Sequence, residues 1–441
     1  MTTRPTPRLT PTGACRRLTA RRRPPVRPGP AASVALPLLA GVALPLLAAC
    51  AGSAPEPVVH RGEVRAVAAS DLTAQDVAAA QRSFGVELVA AVCAGRPGEN
   101  VLVSATSAAE ALGLLHPAAD GATAAALGEL LHLPPWSDAV VAAMRDRTTA
   151  LAALRTDERP EEGGPDSLRS SNHLWTSPAV APTRGYLDDI ATAFDAPVEA
   201  LDFATDADGA TDRINASVRE DTAGLIESLY DAPLPPATVA VLTNTLHLQA
   251  RWATPFTETT DAPFTTPAGP ATVPMVHGST GAARTAAGWT SVELPYVDGT
   301  LVAHVVLPPE GTDPCATTGS DLEAVAAASP VEVGLSMPRL HLEQEHRLLP
   351  VLEGMGLPLT GDYPGLGLGD LAISDVVQKV YLDVDEEGTE AAAATGIGLA
   401  GSAPGEREHV VVDRPYLLLL SDTATGSPLF TAVVQDPTSG S

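Results

Sequence analysis

Residues 376–395 read VVQKVYLDVDEEGTEAAAAT and join a strand-like segment to a run of very small side chains. Residues 376–384 are rich in β-branched and aromatic residues, which predicts a β-strand. If the residues after it were extended, one face would carry only small, uncharged side chains, namely Thr389, Ala391, Ala393 and Thr395. Such a face can enter a sheet, whereas a charged residue on it would be costly to bury. The segment is therefore either a flexible linker or a segment able to add to a sheet.

The next six residues, 396–401, have the G-x-G-x-x-G spacing of a dinucleotide-binding turn. That turn requires a strand directly before its first glycine and a helix opening at its third. Here the alanine run precedes Gly396, and seven residues separate Gly401 from His409, too few for the connection between parallel strands. We therefore expect no nucleotide at this position and no cofactor elsewhere.

Charge limits the possible partners. The chain has 441 residues, of which 45% are hydrophobic and 18% charged, as in a globular protein. Eight of its 27 basic residues are arginines within residues 1–27. The remainder therefore carries 19 basic against 53 acidic residues, a formal charge of −34. Such a charge disfavours nucleic acid as a partner and close approach to an anionic membrane surface.

The N-terminus has the pattern of an export signal. An arginine-rich segment without acids precedes an apolar run over residues 31–49, which is too short and proline-broken for a comfortable membrane span. The run ends Leu-Ala-Ala-Cys50, which resembles the lipobox of bacterial lipoproteins, whose cysteine is lipidated and becomes the mature N-terminus. An ordinary secretory signal with a chance cysteine is the alternative.

We thus expect a signal peptide over residues 1–49 and a flexible tether over residues 50–70. The protein would be exported, either anchored through Cys50 to the extracytoplasmic face of a membrane or secreted. The lipid would be its only contact with the membrane.

Helices dominate the first part of the chain and strands the second. Helical periodicity covers residues 72–94, with Asp71 as the expected N-cap, two stretches within 104–133, and residues 186–194 and 212–226. Apart from a short strand around Leu174, strands are expected over 239–248, 291–294, 300–307, 331–336, 376–384, 410–412, 416–420 and 429–434. This order, without regular alternation of strand and helix, predicts an α+β fold.

Catalytic motifs are missing from the sequence, which has neither G-x-S-x-G nor H-E-x-x-H, so no catalytic residues are predicted. Residues 341–346, HLEQEH, bring two imidazoles and two carboxylates close together in sequence. The alternation fits a solvated strand or loop, and a spacing of five between His341 and His346 suits neither face of a helix. No metal site is expected.

Two cysteines, Cys93 and Cys315, remain once Cys15 leaves with the signal and Cys50 is set aside for the lipid. An oxidising location permits them to pair. A disulfide requires their Cα atoms to lie within bonding distance, and nothing in the sequence places them there. Unpaired thiols are therefore the favoured interpretation.

Residues 376–395 and a series of other segments, in the same order along the chain, resemble segments of the serpin family. Residues 376–395 are similar to the strand and hinge that precede a serpin's reactive loop. Residues 244–256, NTLHLQARWATPF, match the family's N-x-x-x-F-x-G-x-W-x-x-P-F pattern at most positions. The other similar segments are 100–107, 121–123, 214–226, 273–275, 293–296, 337–339 and 413–437. The resemblance covers about residues 75–437.

The resemblance implies a single α+β domain over residues 71–437, with three β-sheets, about nine helices and an exposed reactive-centre loop, followed by a tail over 438–441. Inhibitory serpins offer the loop as a substrate to a serine protease. After the cut, the loop inserts as a new strand into the central sheet and traps the protease as an acyl-enzyme. The implied partner is a serine protease in a covalent complex. The chain itself is expected to be a monomer and not an enzyme.

The resemblance also assigns residues to roles. The hinge that would insert consists of Glu386, Glu387, Gly388, Thr389, Glu390, Ala391, Ala392, Ala393, Ala394 and Thr395. Glu386 would pair with Arg339. The family's shutter, beneath the opening sheet, would contain Ser104, Ser107, Asn244 and Gln378, and its breach, where insertion starts, would contain Trp252. Gln378 replaces a family histidine, Ala105 a proline and Ala250 a glycine. These departures bear on the kinetics of opening more than on the fold.

Counting from the hinge, the resemblance implies a reactive bond between Ser402 and Ala403, within a window of residues 399–405. A small residue there favours elastase-like or subtilisin-like proteases, whereas a cut after Leu399 would favour chymotrypsin-like or other subtilisin-like enzymes. Gly396 and Gly398 lower strand propensity, which would slow insertion and let the protease escape. The alternative is a non-inhibitory serpin that acts as a binding or structural protein. The small, uncharged inward face of the hinge favours the inhibitor.

Overall fold

The structure is a computed structural model that describes residues 57–154, 167–222, 224, 226–389 and 408–439. The predicted signal peptide, Cys50, hinge residues Glu390–Thr395 and the reactive bond Ser402–Ala403 lie outside the described residues.

Eight α-helices occur in the described ranges, against the roughly nine implied by the resemblance. They are α1 (Ala74–Ala94), α2 (Ala105–Gly113), α3 (Gly121–Leu130), α4 (Asp138–Ala152), α5 (Arg184–Phe194), α6 (Ala207–Asp221), α7 (Gly319–Ala326) and α8 (Leu349–Gly354). Three short 3-10 helices lie at His116–Ala118, Pro314–Ala316 and Pro364–Leu366.

The strands lie mostly in the second half of the chain, as predicted. They are β1 (Val58–His60), β2 (Val101–Val103), β3 (Ser167–Thr176), β4 (Val198–Ala200), β5 (Ala240–Arg251), β6 (Glu258–Thr266), β7 (Gly269–Ala286), β8 (Trp289–Pro295), β9 (Leu301–Leu307), β10 (Val331–Pro338), β11 (Leu340–Arg347), β12 (Thr360–Asp362), β13 (Asp370–Ala372), β14 (Asp375–Val384), β15 (Gly388–Thr389), β16 (His409–Val411), β17 (Tyr416–Asp422) and β18 (Pro428–Val434).

Three sheets organise these strands, which confirms the predicted α+β fold. The seven-stranded sheet has the order β1-β4-β3-β5-β15-β14-β11. The nine-stranded sheet has the order β16-β10-β7-β8-β9-β17-β18-β2, with β6 paired to β7, and β12 pairs with β13 in a two-stranded sheet. The seven-stranded sheet contains β14 and β15, which come from the first part of residues 376–395.

The seam between β5 and β14 is the position in the seven-stranded sheet where residues of the expected hinge enter it. Along most of the seam the two strands pair directly and in parallel, from Asp375 opposite Val241 to Val380 opposite Leu246. At the top, β15 lies between them and pairs antiparallel with both strands. The seam is thus closed at the bottom and already occupied at the top.

Helix α1 is central to the larger hydrophobic core, in which Phe84 and Leu88 are fully buried. By length and composition alone it could cross a membrane, yet 56% of its most apolar window is buried inside the protein. The helix begins after Thr73, whose hydroxyl accepts from the Asp76 amide while Asp76 accepts from the Thr73 amide. Thr73 rather than Asp71 is therefore the N-cap, because only Thr73 completes this capping box.

Several elements differ from the sequence-based prediction. Helix α4 was not predicted, because the buried Arg147 interrupts its apolar face. Strand β7 is 18 residues long and was missed, because small and polar residues dilute its alternation. Helix α6 runs over Ala207–Asp221 instead of 212–226, since Asp206 supplies an earlier N-cap. Tertiary contacts set these boundaries more than local preference does.

Within the predicted tether, residues 58–65 make defined contacts. Strand β1 pairs antiparallel with β4 at the edge of the seven-stranded sheet. Arg65 donates to Asp189 of α5 and forms an ion pair with Asp138 of α4 at 2.8 Å.

Cys93 and Cys315 form a disulfide, which corrects the expectation of unpaired thiols. Their Cα atoms are 6.0 Å apart, although 222 residues separate them in sequence. The bond connects the last turn of α1 to the 3-10 helix before α7. Only the tertiary fold brings these segments together, so the sequence could not reveal the pair.

Candidate functional site

The turn that joins β14 to β15 is held by the end of β5. Trp252 donates from its amide to the Glu387 carbonyl at 2.8 Å and from its indole nitrogen to the Asp385 carbonyl at 3.1 Å. Asp385 in turn accepts from the amides of Glu387 and Gly388, at 2.8 and 3.1 Å. Burial raises the pKa of Asp385, against these hydrogen bonds. Trp252, the residue that the resemblance assigns to the breach, lies where the chain reverses into the seam.

Glycine is required at position 388 by close approach of the backbone. A Cβ built there would lie 2.0 Å from the Ala250 carbonyl oxygen and 2.8 Å from the Arg251 Cα. Thr389 follows with 1% of its surface exposed, and its hydroxyl hydrogen-bonds the Tyr296 hydroxyl at 2.6 Å. The Tyr296 ring stacks on Trp252 with centroids 4.5 Å apart. Two hinge residues, Gly388 and Thr389, are thus already built into the sheet.

Glu386 forms the predicted ion pair with Arg339 and also accepts from the Thr259 hydroxyl. Although burial raises its pKa, the hydrogen bonds from Arg339 and Thr259 hold the pKa of Glu386 below its ordinary value. The Arg339 side chain is 48% exposed. A pair this open to solvent contributes about 1 kcal/mol or less.

The predicted shutter residues Ser104 and Gln378 contact each other through the backbone of Ser104. The side-chain oxygen Oε1 of Gln378 accepts from the backbone amide of Ser104 at 3.0 Å, and its side-chain nitrogen Nε2 donates to the Ser104 carbonyl at 2.9 Å. Ser104 also caps α2, because its hydroxyl accepts from the Ser107 amide at 3.3 Å. All three residues are almost fully buried. Gln378, where the family has a histidine, thus satisfies two backbone groups at once.

A row of four polar side chains crosses the seven-stranded sheet at the level of Gln378. In register, Asn172 of β3 lies opposite Asn244 of β5, Asn244 opposite Gln378 of β14, and Gln378 opposite His346 of β11. We call these four residues the polar row. The seam runs through its middle, between Asn244 and Gln378. Within the described part of the chain, the Oδ1 atom of Asn244 has no hydrogen-bond partner.

A buried ion pair lies behind the polar row. Both terminal nitrogens of Arg147 lie 2.8 Å from one carboxylate oxygen of Glu110, and the side chains are 0% and 6% exposed. The other Glu110 oxygen accepts from the Asn172 amide, and the Asn172 side chain accepts from Asn244. This pair was not predicted from the sequence. A signal was present, because Arg147 lies on the same face of α4 as Val140, Met144 and Leu151.

Lys379 is the single lysine of the sequence and lies on β14 beside the seam. It pairs with Glu343 of β11 at 3.2 Å and is 20% exposed, opposite Thr245 across the seam.

The paired histidines of β11 do not form a metal site. His341 is exposed and His346 is buried, since odd and even positions of the strand face opposite sides of the sheet. His346 hydrogen-bonds the Leu102 carbonyl at 2.7 Å through Nε2, and burial lowers its pKa to about 4. In the described residues no group of three or more possible metal ligands is found.

A serine, a histidine and an aspartate meet between β3 and α6, but not in the geometry of a hydrolase. Ser217 Oγ and Asp221 Oδ2 lie 3.3 and 3.1 Å from the same nitrogen of His173, Nε2. In a catalytic triad the carboxylate holds one ring nitrogen and the serine uses the other. The cluster therefore fastens α6 to the sheet and cannot relay a proton.

Comparisons with known proteins agree with this architecture. The family model described as serpin (serine protease inhibitor) matches residues 79–437. An uncharacterised serpin-like protein of Thermococcus kodakarensis is 31% identical over 356 residues, covering 77% of this chain and 82% of the relative. The leukocyte elastase inhibitor of Bos taurus is 27% identical over 390 residues, covering 82% of this chain and 100% of the relative. The crystal structure of the thermophilic serpin tengpin in its native state has a TM-score of 0.73 at 22% identity, covering 85% of this chain and 97% of that one.

Proposed function

Because this chain belongs to the serpin family, we propose that it inhibits serine proteases as a suicide substrate. The family is one of protease inhibitors rather than catalysts, and its members bind target proteases. In the proposed mechanism the protease cuts the loop that follows Thr389. The severed segment then enters the seam while the protease is still bound as an acyl-enzyme.

The observation that carries this proposal is the position of Gly388 and Thr389 between β5 and β14. They are the start of the segment that must insert, and they already pair with both neighbouring strands. Further insertion needs the remaining direct pairing of β5 with β14 to separate and the new strand to take its place. The new strand gains hydrogen bonds on both edges, which supplies the driving force.

The register supports a match between the hinge and the seam. If the pairing of Thr389 with Ala250 and Val384 continues, residue 395 comes opposite both Asn244 and Gln378 in the inserted state. Thr395 is the polar residue of the inward face beyond Thr389. Its hydroxyl could then donate to the buried Asn244 oxygen, and the alanines before it would meet apolar neighbours.

For the target we propose elastase-like or subtilisin-like proteases, cutting at Ser402–Ala403. The small side chains in this part of the sequence support the choice, because they would leave the large specificity pocket of other proteases mostly empty. The similarity to a leukocyte elastase inhibitor agrees with it.

The test is to incubate the purified mature protein with an elastase-like and a subtilisin-like protease and to search for a covalent complex stable in SDS. We expect such a complex, with mass spectrometry locating the cut between residues 399 and 405. Proteases that cleave the loop and stay fully active would contradict the inhibitor and favour a non-inhibitory binding protein.

We further propose that the protein is exported and, if the lipobox is used, anchored through Cys50. The Cys93–Cys315 disulfide supports export, because disulfides persist in oxidising compartments. Mass spectrometry of the mature N-terminus should find a diacylated Cys50, and the Cys50→Ser variant should be released from the membrane. An unmodified N-terminus upstream of residue 50 would contradict this.

A further inference from the structure

The seam between β5 and β14 cannot open without disturbing what lies beneath it. Strand β2 and helix α2 form one continuous segment below the sheet and contact both sides of the seam. On one side lie β1, β4, β3 and β5, and on the other β14 and β11. We call these the β5 side and the β14 side. The hydrogen bonds between this segment and each side determine which contacts break when β5 and β14 part.

The β14 side holds the segment by five hydrogen bonds from three side chains. Gln378 makes two bonds to the backbone of Ser104. Gln344 accepts from the Leu102 amide at 2.8 Å and donates to the Asn100 carbonyl at 2.9 Å. His346 adds a bond to the Leu102 carbonyl at 2.7 Å. These side chains bind backbone amides and carbonyls, as a neighbouring strand would. We therefore expect β2 to remain attached to β14 and β11 when the seam opens.

The β5 side holds the segment through Glu110. This carboxylate uses one oxygen for Arg147 and the other for Asn172, which in turn binds Asn244 next to the seam. Arg147 also donates to the Ser427 hydroxyl at 3.2 Å, so the ion pair is anchored on α4 and near β18. Hydrogen bonds to a charged acceptor are shorter and stronger than neutral ones.

We propose that Glu110, oriented by Arg147, is a positioning residue that retains the β5 side over α2, and that the Glu110–Asn172 bond breaks when the seam opens. Among the described residues, one side-chain bond to a charged group holds the segment to the β5 side and five bonds hold it to the β14 side, which is the reason for this proposal. When the sides part, the bond from Asn172 to Glu110 is the point at which the β5 half of the polar row, Asn172 and Asn244, leaves the segment. The inference rests on the proposed function, because only loop insertion requires the seam to open.

A synthetic peptide with the sequence of residues 390–399, EAAAATGIGL, which follow the Gly388 and Thr389 already in the seam, tests this without any protease. Its uptake into the seam is followed on native gels, and its rate reports how readily the sides part. Asn172→Leu removes the bond to Glu110 at nearly constant volume. It also removes the bond from Asn244, which lies within the β5 side and does not break when the seam opens. We expect uptake to be roughly tenfold faster, the rate equivalent of one lost buried hydrogen bond.

Thr176→Val is the matched control. Thr176 lies on the same strand and face, is fully buried, and its hydroxyl has no partner among the described residues. This variant should take up peptide at the wild-type rate. A second variant, Glu110→Gln with Arg147→Met, removes the charged pair without leaving either charge alone, and should also take up peptide faster than wild type.

The outcomes separate this inference from the proposed function. Equal uptake rates in wild type, Asn172→Leu and the double variant overturn the role of Glu110, even if melting temperatures differ. Faster uptake in both variants supports it, whether or not any protease is inhibited. Uptake by none of the proteins, wild type included, overturns loop insertion and this inference together.

Discussion

At the scale of single residues, Thr389 is the position where a side chain decides between insertion and exposure. It is already buried, and its hydroxyl contacts Tyr296. We expect Thr389→Arg to turn an inhibitor into a substrate, with the yield of covalent complex reduced about tenfold or more, because a guanidinium is costly to bury there. Gel electrophoresis of protease mixtures measures the yield. Thr389→Ser keeps the hydroxyl and should retain the complex; unchanged trapping by the arginine variant would contradict insertion.

His346 should make stability depend on pH. Burial holds its pKa at about 4 in the folded protein, while an unfolded histidine titrates near about 6.5. Between these values the unfolded chain binds the extra proton, so stability is full above about pH 6.5 and falls toward pH 4, by up to about 1.4 kcal/mol per pH unit.

We expect His346→Gln to reduce this dependence by one proton, measured by urea unfolding at pH 7 and pH 4.5. Glutamine can still donate to the Leu102 carbonyl. His341→Gln, on the exposed face of the same strand, is the control. An identical pH dependence in the His346 variant and the wild type would show that this imidazole is protonated without cost in the fold.

At the scale of elements, the Cys93–Cys315 bond joins α1 to the segment before α7 and does not cross the seam. We expect Cys93→Ala with Cys315→Ala to lower stability by about 2–5 kcal/mol, as for other disulfides that close long loops. Protease trapping should continue at an unchanged rate. Thermal unfolding and complex formation measure the two effects. If the variant unfolds in a single cooperative transition but traps the protease more slowly than wild type, α1 moves during insertion.

Elements were predictable from sequence where local pattern and tertiary environment agree. The half-buried strand β14 and the apolar helix α1 follow their periodicity closely. Helix α4 was hidden by Arg147, whose burial depends on Glu110 of a different helix. Strand β3 was expected to be short, because its outward residues Ser171 and His173 are polar and both contact Asp221 of the distant helix α6.

The candidate site divides in the same way. Trp252, Asn244, Gln378 and Ser104 were expected near the seam from motif resemblance, and the structure brings them there. Three residues next to them were not expected: Asn172, which accepts from Asn244, Glu110, which accepts from Asn172, and His346, which lies opposite Gln378. They come from β3, α2 and β11, and a single sequence carries no record of which segments will meet. The same holds for the disulfide.

At the scale of the whole molecule, the proposed insertion would add a strand to the seven-stranded sheet and so stabilise the fold. Cutting the loop should raise the melting temperature by roughly 10–20 °C, from about 1 kcal/mol per added hydrogen bond and a few degrees per kcal/mol. Differential scanning calorimetry before and after limited digestion with a metalloprotease, which forms no acyl-enzyme and so is not trapped, measures it. Thr389→Arg should show little increase after the same cut. A wild-type protein whose melting temperature stays constant after cleavage has not inserted its loop.

Lys379 gives this chain an unusual practical property. As the single lysine, it offers one ε-amino group to acylating dyes, and it stands on β14 at the border of the seam. Insertion would replace its cross-seam neighbour Thr245 with a residue of the loop. An environment-sensitive fluorophore attached there, with the α-amine blocked, would turn the unmutated protein into its own optical reporter of sheet opening in real time.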